Sequence, residues 1–158
     1  LTDNLTARGN VAWGQCKGYG LQSGHFLLEA KEIADINSRG GVFCDHMQTL
    51  TSSAVVTYKF LERTTMTGQM LFASGLRTAE NEDAKTNSIH SPSYTIYNLS
   101  IAHVFPLPWD GQKFLLGFDI INLLDQKYYI NQGEGSIGLG VAHAGMPRSF
   151  FFRGQWFF

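Results

Sequence analysis

Charge is scarce in this sequence of 158 residues. Only 16% of the side chains are charged, and 12 basic residues against 13 acidic ones leave a net charge of −1. A nucleic-acid partner calls for a basic patch, so that class is excluded. No run of 18 or more apolar residues occurs, which excludes a membrane-spanning helix. Residues 1–10 lack a basic start, an apolar core and a small-residue cleavage site, so no signal peptide is expected. There is no initiator Met, and a piece of a longer protein is expected. Cysteine is limited to Cys16 and Cys44, too few for a disulfide framework and without zinc-ligand spacing.

Aromatic residues and glycine are plentiful instead: 13% aromatic, with 12 Phe and 17 Gly. A chain rich in Phe and poor in charge needs either a very large core or an apolar surface. At this length a very large core cannot be built.

A period of two dominates the chain. Leu5, Ala7, Gly9, Val11 and Trp13 alternate with Thr6, Arg8, Asn10 and Ala12. Ala54, Val56, Tyr58 and Phe60 follow, then Met66, Gly68, Met70 and Phe72. Tyr97, Leu99, Ile101 and Phe105 come next, with His103 interrupting the apolar set. Phe114, Leu116, Phe118 and Ile120 form a fifth series, and Phe150, Phe152, Trp156 and Phe158 a sixth. These six strands of about 9–13 residues have the length of a tilted membrane-crossing strand.

A soluble sandwich alternates too, so two further features carry the reading. The non-apolar positions are strongly polar: Arg8, Asn10, Thr57, Lys59, Thr67, Gln69, Asn98, Ser100, Asp119, Asn122, Arg153 and Gln155. The connections also alternate in length, over 17–48, 61–64, 77–92, 106–112 and 126–147. Outer-membrane barrels have short periplasmic turns and long outer loops. With Phe158 at the inner rim, Tyr58, Phe60, Phe105, Trp109 and Trp156 fall near that rim, and Tyr94, Tyr128 and Tyr129 near the outer one. The expectation is an all-β, antiparallel transmembrane barrel fragment with long extracellular loops. Six strands cannot close a barrel of known size, and an open edge in lipid is costly, so the remaining strands are expected elsewhere in the protein.

Several segments resemble the late barrel of TonB-dependent outer-membrane receptors. They are 45–52 (DHMQTLTS), 73–77 (ASGLR), Pro92-Ser93-Tyr94 leading into 97–100 (YNLS), 118–128 (FDIINLLDQKY), and Gly145-Met146-Pro147-Arg148 before a strand ending on Phe158. The resemblance implies that residues 1–158 are the last part of a 22-stranded barrel, with the plug and the TonB-contacting segment lying outside it. It implies residence in the outer membrane of a Gram-negative bacterium, contact with lipid, and insertion by the barrel-assembly machinery. Trp156 and Phe158 fit the terminal assembly signal, although Arg153 stands where that signal has glycine and Gly154 is displaced by one. The implied function is energy-coupled import of a scarce nutrient, such as a ferric siderophore or similar bulky chelate, with TonB supplying energy. A passive porin or an oligomeric structural barrel is the alternative.

No enzyme is expected. The serines beside glycine (Ser23, Ser74 and Ser136) have no positioned base. Gly133, Gly135 and Gly138 match a dinucleotide fingerprint, but further glycine and Pro147 follow, so no helix can start there to hold a pyrophosphate. Asn4 and Asn98 begin formal glycosylation sequons that lie in or beside strands. His25, His46, His90, His103 and His143 share no two-ligand spacing, and neither a metal nor a cofactor is expected. Glu80, Glu82 and Asp83 read as a solvated charge run.

Cys16 and Cys44 flank the first long loop, either as a disulfide at its base or as two free thiols. Within that loop Phe26, Ala30 and Ile33, with Leu27 and Ala34, predict a short amphipathic helix. Glu29, Lys31, Glu32 and Asp35 lie on its other side. Candidate contacts for a small-molecule ligand are Arg77, at the top of the third strand, and Tyr128, Tyr129 and Arg148, flanking the last loop. Arginine would pair with an anionic chelate and tyrosine would stack on a flat one. Structural anchoring is the alternative for each.

Overall fold

A computed structural model describes residues 3–22, 28–44, 47–78, 86–109, 111–131 and 143–158. In chain order the elements are β1 (Leu5–Trp13), β2 (Lys17–Gly18), α1 (Ala30–Ser38), β3 (Val42–Phe43), β4 (Leu50–Leu61) and β5 (Thr64–Ala73). They continue with β6 (Arg77–Thr78), β7 (Ile89–His90), β8 (Tyr94–Pro106), β9 (Lys113–Ile121), β10 (Tyr129–Asn131), β11 (His143–Ala144) and β12 (Ser149–Phe157). The six long strands form one sheet in the order β1-β4-β5-β8-β9-β12. Every neighbouring pair in it is antiparallel. The fold is all-β, with one short helix, and the six strands read from the alternation are the six of this sheet.

Register decides which residues share a face, because partners directly opposite each other in adjacent strands project to the same side. One row runs Leu5, Tyr58, Met66, Ile101, Phe118, Phe152 across all six strands. The next row runs Thr6, Thr57, Thr67, Ser100, Asp119, Phe151 on the opposite side. The first face is apolar and the second largely polar. A one-residue slip at any pair would mix the two sets, so the alternation itself fixes the register.

The apolar face is bare. Leu116 is 47% exposed, Val56 45%, Ile101 40% and Phe152 81%. Among the described residues the buried hydrophobic side chains are Ile36, Ala73 and Ile96 alone. An aqueous sheet would cover such a face with a second layer; here none of the described elements does so.

The polar face is knit by side chains across strands. Thr57 and Thr67 hydroxyls lie 3.0 Å apart, and Asn98 donates to Gln69 Oε1 at 2.9 Å. Ser100 donates to the Asp119 carboxylate, which also meets Arg153 at 3.5 Å. His103 is an ionisable residue on the apolar face, and it has a polar partner there. Its Nδ1 lies 2.7 Å from the hydroxyl of Thr64, its partner in register, and its ring meets Phe105 edge-on.

Helix α1 starts at Ala30, where Glu29 and Glu32 form a reciprocal capping box. Glu29 N–H donates to Glu32 Oε2 at 2.8 Å. Phe26 and Leu27, expected on its apolar side, fall outside the described residues. The buried face differs from the expected one: Ala30 and Ala34 are exposed, and Ile36 is the buried residue, at 1%. Asn37, itself exposed, ties the helix to the preceding segment: its side chain donates to Leu21 O and accepts from Leu21 N–H, both at 2.8 Å, next to the buried Ile36. Gly41, at φ +99°, then lets the chain pass so close to Gly18 that a Cβ would overlap the Gly18 carbonyl.

Candidate functional site

The long connections all leave from the end of the sheet opposite the tight 62–63 turn. At that end three side-chain clusters fix where the loops start.

The first surrounds the two cysteines. Cys16 and Cys44 are disulfide-bonded, with Cα atoms 5.4 Å apart. Cys44 N–H donates to Cys16 O at 3.1 Å, and the β2–β3 ribbon begins immediately beyond. Phe43, next to the bridge, lies between two cations: Lys17 Nζ is 4.9 Å from its ring centre and the Arg77 guanidinium 3.7 Å. Arg77 also donates to the carbonyls of Ser88, at 3.2 Å, and Asn87, at 3.4 Å. Asn87 in turn donates to Phe43 O at 3.0 Å. Arg77 is only 8% exposed. Its guanidinium thus joins the first long loop to the second rather than facing open solvent.

The second cluster ends β9. Asn122 is wholly buried and has φ +55°. Its backbone N–H donates to Asn98 Oδ1 at 2.9 Å. Its side chain accepts from Gln126 N–H and donates to Gln126 O, both at 2.9 Å, and to Met146 O at 3.0 Å. Asn122 was expected among the polar strand positions of the non-apolar, lumen-side face. Instead the left-handed turn carries it off the strand, and its amide serves as a spacer between the two sides of the last loop. Asn and Asp tolerate this backbone region because their short side chains bond locally. Asp125, at φ +50°, completes the turn. Its carboxylate accepts from Arg148 N–H at 3.0 Å and meets Lys127 at 3.1 Å. The Arg148 amide, followed by the Lys127 ammonium, holds the Asp125 carboxyl below its ordinary value.

The third cluster is an aromatic pair. Tyr94 and Tyr128 have ring centres 4.6 Å apart, tilted by 34°. Gln48 Nε2 reaches the Tyr94 hydroxyl at 3.4 Å. Gly145 lies against the Tyr128 ring so closely that any Cβ would overlap it, and Gly145 N–H donates to Tyr128 O at 2.8 Å. These tyrosines were expected near the outer rim, and Tyr128 also as a ligand contact; Tyr94 pairs with Ala73 in the row of the polar face, and Tyr128 packs on it there. The large exposed aromatics of the apolar face at this end include Trp13, 71% exposed, and Phe150, 59% exposed.

Below the pair lies a recess of about 380 Å³, whose lining includes Leu71, Ile96, Ile121, Tyr94, Tyr128 and Gln48. Two more recesses follow it down the polar face towards the tight turn. A concave site with an apolar floor and a few convergent polar groups is the usual form of a small-molecule site.

No family model and no curated protein matches this chain.

Of the ligand candidates read from sequence, Tyr128 is at the recess and Arg77 is engaged as described. Tyr129 is exposed at 48%, and Arg148 is exposed, with Nη1 3.5 Å from Leu123 O. The four residues therefore do not converge on one point. Signals for the residues that do converge were present but weak: Tyr94 and Ile96 share strand parity with Asn98, and Leu71 with Gln69. Of the histidines, His90 lies 3.3 Å from the Thr49 hydroxyl and 3.4 Å from Gly75 O. His143 pairs through its backbone in β11, while His25 and His46 lie outside the described residues. So do Ser23, Ser136, Glu80, Glu82, Asp83 and the 133–138 glycine segment. Ser74 accepts from Leu50 N–H at 3.1 Å, a strand-end contact. Among the described residues no group of three or more His, Cys, Asp or Glu is placed to hold a metal ion. Trp156 stacks on Trp109 with centres 6.1 Å apart and donates to Gln112 Oε1 at 3.0 Å. Phe158 is fully exposed.

Proposed function

We propose that this chain is a wall segment of an outer-membrane β-barrel receptor of the TonB-dependent type, serving energy-coupled uptake of a scarce, bulky nutrient such as a ferric chelate. The observation that carries this reading is the bare apolar face, continuous across all six strands and backed by a polar face. In water such a face costs roughly 25 cal/mol per Å² of apolar surface left uncovered; in lipid that cost disappears. Three further observations support it. The long connections all leave from one end of the sheet. Tyr58, Phe60, Phe105 and Trp156 are exposed aromatics of the apolar face at the other end, as an interfacial girdle requires. Among the described residues the outer edges of β1 and β12 have no partner strand in the sheet, and further strands closing a barrel would satisfy them.

On this reading the polar face lines the lumen and the recess beneath Tyr94 and Tyr128 opens towards the loops. The test is uptake by cells lacking the gene, under iron limitation, with and without a working TonB system. Energy-dependent uptake lost equally by gene deletion and by loss of TonB supports the receptor. Passive leakage of small solutes that persists without TonB points to the porin, and recovery of the protein in the soluble fraction overturns both.

A further inference from the structure

The three open recesses on the polar face each offer about 380 Å³, yet their chemistry differs. The one nearest the tight turn is lined by Glu62, Arg63 and Lys113. The middle one contains Asp119, with Gln69 and Asn98. The one nearest the loops has no charged side chain among its described lining residues. Its apolar side is Leu71, Ile96 and Ile121, with Ile96 itself only 5% exposed. Its aromatic side is the Tyr94–Tyr128 pair. Asn98 also borders it, but both ends of that amide are already used, on Gln69 and on the Asn122 backbone. Gln48, Thr51 and Asn10 supply neutral polar groups at its edge.

From this contrast we infer that the loop-end recess binds the uncharged, flat ring portion of a ligand, seated against Tyr94 and Tyr128 with its hydroxyl or amide edge towards Gln48 and Thr51. Seating an ion there would strip its water without offering a counter-charge. A neutral ring loses little hydration and gains offset stacking on the tyrosines. The volume is at the small end of the range for ligand sites, so it holds a ring system rather than a whole bulky chelate. The inference deepens the receptor reading and rests on it for the ligand's biological origin; the binding chemistry is tested separately from transport.

The experiment uses the full-length protein, extracted from outer membranes in zwitterionic detergent, and a matched pair of fluorescent probes. Methylumbelliferyl β-glucoside is neutral, and methylumbelliferyl β-glucuronide differs by one carboxylate. Saturable binding of the glucoside, at least about tenfold tighter than the glucuronide, is expected. Tyr128→Leu should weaken the glucoside by about tenfold, while Tyr128→Phe, which keeps the ring, should stay within about threefold. Leu71→Lys places a cation in the recess and should reverse the preference towards the glucuronide. That gain of binding cannot come from a misfolded variant. Equal affinity for the two probes, no saturation with either, or indifference to Tyr128→Leu and Leu71→Lys overturns the inference. Binding as expected in a protein that fails the uptake test would overturn the receptor reading and leave this site standing.

Discussion

The Arg77 guanidinium lies 3.7 Å above the ring centre of Phe43, a contact that spans two loops and sits one residue from the Cys16–Cys44 bridge. Arg77 also bonds the carbonyls of Asn87 and Ser88, so one side chain ties the returning strand of the first loop to both sides of the second. Arg77→Ala should destabilise this joint by about 2–3 kcal/mol, from the lost cation–π contact and the unpaired carbonyls. Arg77→Lys should recover only part, since a point charge cannot stack and bond in a fork at once. The check is hydrogen exchange at Phe43 and Ser91, whose backbone N–H groups bond Thr86 and Leu76. Their protection should fall while that of β5 and β8 is retained. Loss of protection throughout the sheet would refute a local role.

The disulfide closes a segment with a sequence separation of 28. In the chain-entropy model that constraint stabilises the folded loop by about 3–4 kcal/mol. Cys16→Ser with Cys44→Ser should therefore expose the β2–β3 ribbon and α1 to protease, with cleavage confined to the first loop. Mild reduction of the native chain should reproduce that pattern. A reduced protein with unchanged cleavage would mean that the Asn37–Leu21 bonds and the cations on Phe43 suffice without the bridge.

How much of this was legible before any coordinates? The six long strands were, because alternation over nine or more residues leaves a strong signal and register follows from keeping the two faces apart. The ribbons β2–β3, β6–β7 and β10–β11 were not, since two or three residues carry no period. Helix α1 was legible as a helix, but its buried side was not. Ile36 is buried beside the Asn37–Leu21 hydrogen bonds, a contact between distant residues that no local pattern encodes. The same holds for the site. Tyr128 was singled out from its position beside the last loop, whereas its partner Tyr94 depended on strand parity and on Gly145 making room. Arg77 reads in sequence as a free cation at a strand top; its burial comes from Phe43, in the preceding loop, and from Asn87, across its own loop.

Asn122 makes the strongest stability prediction. It is wholly buried and bonds Gln126 through both N–H and C=O, as well as Met146 O. Asn122→Ala would strand these buried groups and place a residue with a Cβ but no compensating side-chain bond at φ +55°. A loss of about 2–4 kcal/mol is expected from the unsatisfied groups and the strained backbone. Asn122→Asp keeps the acceptor for Gln126 N–H but sets a charge against two carbonyls, and should be no better. Urea unfolding in detergent reads this directly. A change below about 0.5 kcal/mol would mean that the turn holds without its side chain.

The Asp125 carboxyl is held below the ordinary aspartate range by the Arg148 amide and the Lys127 ammonium. A depressed carboxyl adds stability that is fully present above its unfolded-state value and is lost as pH falls through its lower folded-state value. The base of the last loop should therefore keep its structure from neutral pH down to the ordinary aspartate range and loosen only below it. The Arg148 amide resonance reports this, because that N–H bonds the carboxylate. Asp125→Asn should abolish the acid transition at that amide. A transition that persists in Asp125→Asn would assign it to another acid.

A charge placed on either face of the sheet distinguishes a lipid cover from a protein cover. Ile101 lies mid-strand on the apolar face, between Met66 and Phe118, and is 40% exposed. Thr67 lies one row away on the other face, opposite Thr57 and Ser100. If lipid covers the apolar face, Ile101→Arg should cost about 2–4 kcal/mol in a bilayer, the penalty for arginine near the midplane. On the same reading Thr67→Arg should cost less than about 1 kcal/mol, because that position would meet a wet lumen and lies in the same row as the Asp119 carboxylate. Folding into vesicles of short-chain and long-chain lipids adds a second reading: thicker bilayers should deepen the Ile101→Arg penalty and leave Thr67→Arg unchanged. A soluble partner layer over the same face would also penalise Ile101→Arg, but no dependence on lipid chain length would follow. That dependence is therefore the observation on which the membrane reading stands or falls.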